Sequence, residues 1–293
     1  MEPFRIAICG DAGSGKIALA ANLYQILASS ELPKTLLVEC AVQTPLASLY
    51  FPMRELEEEE EIHLYAPAIN AERCQPCRVC LDSCQPNALL MNFEQQPPVL
   101  DLDLCSSCGF CFECCPENAI DTVSHHIGDT AFYCLPDGLG LAEGKLNEGA
   151  PMCGQLISRL KDAAGSLADL IIYNAPLGTG CAVVETVKDA DYVIIVTEPT
   201  SHGLYDIEHL TELLRPLGVP FGVVVNKSGF VSDEEDYFIQ HAHLEVLGQI
   251  PFCREHIPDH AIGQLWEECP ADLQQAYMRI AQEVLSKISV HVG

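Results

Sequence analysis

Short unbroken apolar runs recur along the chain, separated by stretches whose apolar residues return at helical spacing. Phe4–Cys9, Thr35–Glu39, Leu170–Tyr173, Tyr192–Thr197, Phe221–Val225 and Val246–Ile250 read as strands. Ala18–Leu27, Met152–Ala164, Ile207–Leu217, Glu234–His243 and Leu273–Ile288 read as helices, and Cys40–Leu49 as a loop. Strands that are apolar throughout need cover on both faces, and strands alternating with helices build a parallel sheet. The expectation is therefore α/β, a mostly parallel sheet covered by helices on both faces. The rhythm stops after Thr35–Glu39 and returns only after Val123. Glu55 and Glu57–Glu61 form an acidic run that reads as a solvated linker. It leads into an insertion at residues 69–123, dividing the α/β domain into 1–68 and 124–293.

The insertion carries two copies of one cysteine pattern, C-x2-C-x2-C-x3-C. The first is Cys74, Cys77, Cys80 and Cys84, with Pro86 after it; the second is Cys105, Cys108, Cys111 and Cys115, followed by Pro116. Ala88-Leu89-Leu90 and Ala119-Ile120 follow the copies in register, as a duplication would. Three thiolates at this spacing wrap one iron–sulfur cube and the fourth reaches the other. One [4Fe-4S] cluster is assigned to Cys74, Cys77, Cys80 and Cys115, the other to Cys105, Cys108, Cys111 and Cys84. Zinc sites use two C-x2-C pairs, a different rhythm. The segment resembles the bacterial two-cluster ferredoxins, with Gln85 between Cys84 and Pro86 and an extra thiol at Cys114 as departures.

Charge narrows the partners. The 293 residues carry 42 acidic and 15 basic side chains, a net charge of -27, which repels nucleic acid and anionic membranes. No apolar run is long enough for a membrane span. No basic stretch followed by an apolar one precedes Phe4. The 16 cysteines then read as metal ligands in a reducing cytoplasm, in an anaerobic setting, more than as a disulfide framework.

The first strand runs into Gly10-Asp11-Ala12-Gly13-Ser14-Gly15-Lys16-Ile17 and then a helix, the context of a phosphate-binding loop. Glycines let N–H groups point at phosphate oxygens, the helix dipole adds to this, and Lys16 would reach the terminal phosphates. Gly10, Gly13, Ser14, Gly15 and Lys16 are the candidate nucleotide-binding residues. To them are added Pro176-Leu177-Gly178-Thr179-Gly180-Cys181, Thr197-Glu198-Pro199-Thr200 and Asn226-Lys227. With these the chain resembles the MinD/ParA-type P-loop ATPases that carry an inserted two-cluster ferredoxin domain, relatives of the nitrogenase iron protein and of Mrp-like scaffold ATPases of iron–sulfur assembly. The resemblance implies ATP or ADP binding, with Asn226 reading the purine, and a dimer around the nucleotide.

The same resemblance marks what is missing. Its lysine after the first glycine is Asp11 here, and its magnesium-binding hydroxyl is Ile17. Its two aspartates near the second strand are Ala41 and Gln43, the aspartate ending Leu170–Tyr173 is Asn174, and a lysine near Gly154 is Gln155. Phosphoryl transfer rests on positioning and charge, so these losses count against Mg2+ and against efficient hydrolysis and leave nucleotide binding weak. The chain is expected to carry two [4Fe-4S] clusters for electron transfer or cluster relay. The scaffold is then a degenerate ATPase serving a redox or cluster-acceptor protein, as a homo- or heterodimer with a MinD-like ATPase. An active ATPase of iron–sulfur or metallocofactor assembly and a non-catalytic interaction scaffold are the alternatives. Cys153 and Cys181 read as packing residues, as does Trp266. Cys9, Cys40, Cys134, Cys253 and Cys269 read as structural and His125-His126 as a solvated pair. His241, His243, His256 and His260 lack a clear partner.

Overall fold

A computed structural model describes residues 2–29, 34–93, 95–102, 104–136, 138–150, 153–229, 244–254, 263 and 265–292. In chain order the elements are β1 Phe4–Gly10, α1 Lys16–Ala28, β2 Thr35–Glu39, β3 Glu55–Ile69, α2 Val79–Asp82, β4 Leu89–Leu90, β5 Val99–Leu100, α3 Phe110–Glu113, β6 Ile120–Leu135 and β7 Gly138–Leu146. They continue as α4 Cys153–Ala164, β8 Leu170–Asn174, α5 Cys181–Val187, β9 Tyr192–Thr197, α6 Ser201–Leu217, β10 Phe221–Ser228, β11 Val246–Pro251 and α7 Ala271–Val292. The expected helix at Glu234–His243 lies outside the described residues, as do His241, His243, His256 and His260.

A nine-stranded sheet has the order β11-β10-β9-β1-β8-β2-β7-β6-β3. It is parallel from β11 to β7, and β6 and β3 extend it antiparallel. Side chains alternate across the pleat. Ile6 and Ile8 therefore join Leu19 and Leu23 of α1 and Tyr277 and Ile280 of α7 on one face. Ala7 and Cys9 join Leu156 and Leu160 of α4, Val183 of α5 and Leu210 of α6 on the other. This is the expected mostly parallel sheet with two helical layers. It is the fold of the P-loop NTPases.

Several elements were not foreseen. The acidic run is no linker: Glu55 and Glu57–Glu61 lie in β3, paired to β6 from Glu55↔Cys134 to Ile69↔Ile120. Those carboxylates are exposed, whereas Ile62, Leu64 and Ala66 farther along are buried. Charge on an edge strand keeps it from pairing with another chain. Strands β6 and β7, and the short helix α5, also went unread. The loop read at Cys40–Leu49 closes in a 3-10 turn at Ala47–Tyr50.

The β3/β6 ribbon carries the cysteine-rich segment at its end. Asn70 N–H donates to Ala119 O at 2.8 Å, and Arg73 pairs with Asp121 across the neck. On the opposite face, Lys161 of α4 is 4% exposed. Its Nζ donates to Glu185 O at 2.5 Å and Thr186 O at 2.9 Å, closing the C-terminal end of α5, and pairs with Asp189. Cations at a helix C-terminus complement its dipole. Removing a buried, fully engaged cation orphans its acceptors, so Lys161→Met should lower unfolding free energy by about 3 kcal/mol. Denaturant melts of the two chains would measure this, and an unchanged midpoint would count against it.

Candidate functional site

β1 ends where the phosphate loop begins. Gly13 (φ 80°) and Gly15 (φ 88°) take the left-handed backbone that glycine tolerates. A Cβ on Gly15 would come within 2.2 Å of Asn226 Nδ2, so a larger residue would push that amide off the loop as well as straining the backbone. Asn226 Nδ2 donates to Ser14 O at 2.8 Å, and its Oδ1 accepts from Lys227 N at 2.9 Å. Lys227 Nζ donates to Gly13 O at 3.1 Å and pairs with Glu198. The end of β10 thus clasps the loop. Gly10, Gly13, Ser14, Gly15, Lys16 and Asn226 come together here, although Asn226 spends half its amide on the loop rather than on a base.

A cavity of about 660 Å³ opens beside the loop, with Lys16, Glu39, Asn174 and Asn226 on its polar side and Tyr50, Leu177, Phe252 and Tyr277 on its apolar side. Inside it the sequence reading missed a charge. Glu39, fully buried at the end of β2, has every carboxylate lone pair occupied. Oε1 accepts from Ala41 N at 2.9 Å and Asn174 Nδ2 at 2.8 Å, while Oε2 accepts from Leu46 N at 3.3 Å and Ala47 N at 3.1 Å. Burial pushes this carboxyl up, against the pull of those donors. Burial pushes the Lys16 ammonium down, and the charges of Glu39, Cys9 and Asp11 oppose it. An acid closing an otherwise apolar strand, at the carboxyl ends of the parallel strands where α/β proteins bind ligands, was the available signal.

The residues present suit a nucleotide better than its magnesium. Asn174 Oδ1, in the cavity wall, is buried without a hydrogen-bond partner, as a group awaiting a polar ligand would be, while the unpartnered Ser14 Oγ turns toward Gly10. Ile17 offers no ligand atom, and Glu39 has no lone pair free. Asp11 sits at the lip instead, with His202 Nε2 3.6 Å from its Oδ2 and Asp206 alongside. His202 is largely solvated and the separation is long, so the contact is worth little.

The cysteines gather at the ribbon's end around two hollows. Cys74, Cys77, Cys80 and Cys115 line one; Cys84, Cys105, Cys108 and Cys111 line the other. The two copies match in backbone: Arg78 and Gly109 take left-handed φ before α2 and α3, and Asn87 and Asn118 take it after them. Ala88 N donates to Cys84 Sγ and Ala119 N to Cys115 Sγ, both at 3.3 Å. Cys114 lines neither hollow; its Sγ turns to Cys111 O at 3.6 Å. Tetrahedral zinc with Zn–S near 2.3 Å would draw sulfurs to about 3.8 Å. Among the described residues no trio of thiol sulfurs lies within 4.8 Å of one another. Cys111 is pushed up to about 11 by burial and by the Cys105 and Cys108 charges, the crowding that a bound metal group relieves.

Farther up the ribbon His126 stacks on His63, ring centroids 5.1 Å apart, and its Nε2 lies 2.9 Å from Asp129. The hydrogen bond to Asp129 raises the imidazole above its usual 6.5. A raised imidazole adds stability below the ordinary value and loses it as pH climbs through the folded one. The His126 midpoint, followed by NMR, should therefore fall in Asp129→Asn; an unmoved midpoint would refute the pairing.

No family model matches the chain. It is 32% identical over 236 residues to the uncharacterized protein MJ0578 of Methanocaldococcus jannaschii, spanning 80% of this chain and 82% of that one. The iron-sulfur cluster carrier protein of the same organism is 25% identical over 159 residues, 48% of this chain and 54% of that protein. Among solved structures, the septum site-determining protein MinD of Pyrococcus horikoshii OT3, complexed with Mg-ADP, superposes with a TM-score of 0.60 at 16% identity, covering 96% of each chain. At that identity the likeness is one of fold. No helix among the described residues is long and apolar enough to cross a membrane.

Proposed function

Since the chain belongs to the family of the M. jannaschii protein MJ0578 and has the MinD/ParA fold, we propose that it is an iron–sulfur protein holding two [4Fe-4S] clusters on residues 69–123. The observation that carries this reading is the sorting of eight thiols into two four-sulfur hollows, each taking three cysteines from one run and one from the other. When bound, each cluster supplies a one-electron centre. The residues hold the sulfurs apart and aim N–H groups at them. The P-loop body is the platform, and its partner is a redox or cluster-acceptor protein, with an intact MinD-like ATPase across the nucleotide face. Asp11, carboxylate outward at the lip, would meet a cation of that subunit. The net charge of -27 favours a basic partner surface.

Anaerobic iron analysis with EPR tests this reading: about eight irons per chain are expected. Zinc in stoichiometric amount, or iron that does not resist gel filtration, would sink it. A second reading, an active nucleotide hydrolase of iron–sulfur assembly, draws support from the unpartnered Asn174 Oδ1 beside Lys16. Steady-state turnover separates the two, because hydrolysis lost in Lys16→Ala would overturn the degenerate-ATPase view.

A further inference from the structure

We infer that Gln155 is a positioning residue that makes the two clusters unequal, by raising the reduction potential of the one on Cys84, Cys105, Cys108 and Cys111. The inference rests on the two-cluster reading above. Gln155 stands in the first turn of α4, two residues after Cys153, which lines the phosphate-loop cavity. Its Nε2 donates to Ser106 O at 2.8 Å, tying the second cysteine run to the helical layer of the body. The Ser106 carbonyl and the Ser107 N–H belong to one trans peptide unit. That N–H lies 3.5 Å from Cys105 Sγ and donates to it. The connection is therefore amide to carbonyl, and through the same peptide plane N–H to ligand sulfur. Hydrogen bonds in such a chain polarise one another. Donation to a ligand sulfur withdraws charge from the cluster and favours its reduced form.

The first run cannot copy this arrangement. The residue matching Ser107 is Pro76, which has no N–H. Ser107 sits at φ 53°, which a proline ring forbids. Of the other donors, Ala88 serves Cys84 in one set and Ala119 serves Cys115 in the other at equal distance, and the Leu81 N–H serves Cys80 in that other set. The Ser107 bond has no counterpart at Pro76, and its peptide is the one that the body grips through Gln155. The Gln155 contact would favour the reduced form of a cluster held by Cys84, Cys105, Cys108 and Cys111.

The test is a redox titration of the full chain, cluster-loaded under anaerobic conditions and followed by EPR, in wild type, Gln155→Leu and Gln155→Lys. Wild type is expected to show two separate midpoints. In Gln155→Leu the higher one falls and the lower one stays, so the two move together at unchanged iron content. In Gln155→Lys, which keeps a donor and adds a positive charge, the higher midpoint is retained or rises. Unmoved midpoints in Gln155→Leu, an equal fall of both, or a Gln155→Lys chain that behaves like Gln155→Leu would each overturn the inference while leaving the clusters in place. A wild-type chain without two four-iron signals would overturn the inference together with the two-cluster reading.

Discussion

Replacing Cys84 and Cys105 together by alanine is expected to remove one cluster, while replacing Cys84 and Cys74 together removes both. The first pair faces one hollow and the second pair is split between two, although Cys84 and Cys74 lie in the same run. Iron should fall from about eight to about four per chain in the first double variant and toward zero in the second, if each cube needs all four thiolates. The opposite ranking would mean that each run folds around its own metal, and it would refute the crossed assignment. Cys114→Ala serves as the control. Its sulfur points at a backbone carbonyl and lines neither hollow, so full iron should remain. Loss of a cluster in that variant would instead place Cys114 among the ligands. Losing either cluster should also loosen the segment, because α2 and α3 have four residues each and bury no side chain completely. Such a unit has little core of its own and depends on its metal groups for order.

The parallel body was legible because its strands are apolar on both faces. Leu170–Tyr173 and Tyr192–Thr197 can only be central, and the helical spacing of Leu273–Ile288 recurs as one side of α7 against β11. The antiparallel extension was not legible, for a physical reason. The first half of β3 faces water with Glu55 and Glu57–Glu61 along it, so there neither an apolar run nor an alternation marks it as a strand, and the alternation begins only at Ile62. Its pairing to β6 is set by the partner strand and by the tie at Asn70 and Ala119, both long-range in sequence. Edge strands carry the least intrinsic signal because their context decides them.

The site divides in the same way. A phosphate loop is local: glycine spacing, a lysine and a helix start lie within one short segment and can be read directly. The clasp on that loop is not local. Asn226 and Lys227 reach Ser14 and Gly13 from more than two hundred residues away, and no spacing rule links them. Cysteine spacing suggested the ligands, yet the Gln155 amide against Ser106 needs the folded chain to be seen. Ala41 and Gln43 were read as the loss of acidic groups near β2, and the structure qualifies that reading. An acid does remain there, at Glu39, turned inward and saturated by N–H donors. Its role is read from what it touches, which the residue type alone does not reveal.

Glu39→Gln is expected to lower stability by about 2–4 kcal/mol without any gain or loss in turnover chemistry at the metal, because the carboxylate acts as a backbone anchor. Three of its four donors are main-chain N–H groups of the loop between β2 and β3, at Ala41, Leu46 and Ala47. A glutamine keeps one acceptor oxygen and turns an NH2 group toward donors. Buried donors left unpaired cost about 1–3 kcal/mol each, partly relieved where Leu46 is open to water. For a chain of this size each kcal/mol corresponds to about 2–4 °C in melting temperature, so thermal melts should resolve the change. The variant also removes the charge that most offsets the burial of Lys16, whose ammonium that burial already disfavours. Nucleotide affinity should therefore fall along with stability, at every magnesium concentration alike. Were Glu39 instead a metal-binding carboxylate freed by loop movement, Glu39→Gln would leave the melt unchanged and abolish only the magnesium-dependent part of binding. Calorimetric titration of ADP with and without Mg2+, set beside the melts, distinguishes the two. The four occupied lone pairs favour the anchor, and the body of this protein is then a nucleotide fold whose buried acid holds its own loop shut rather than a metal in place.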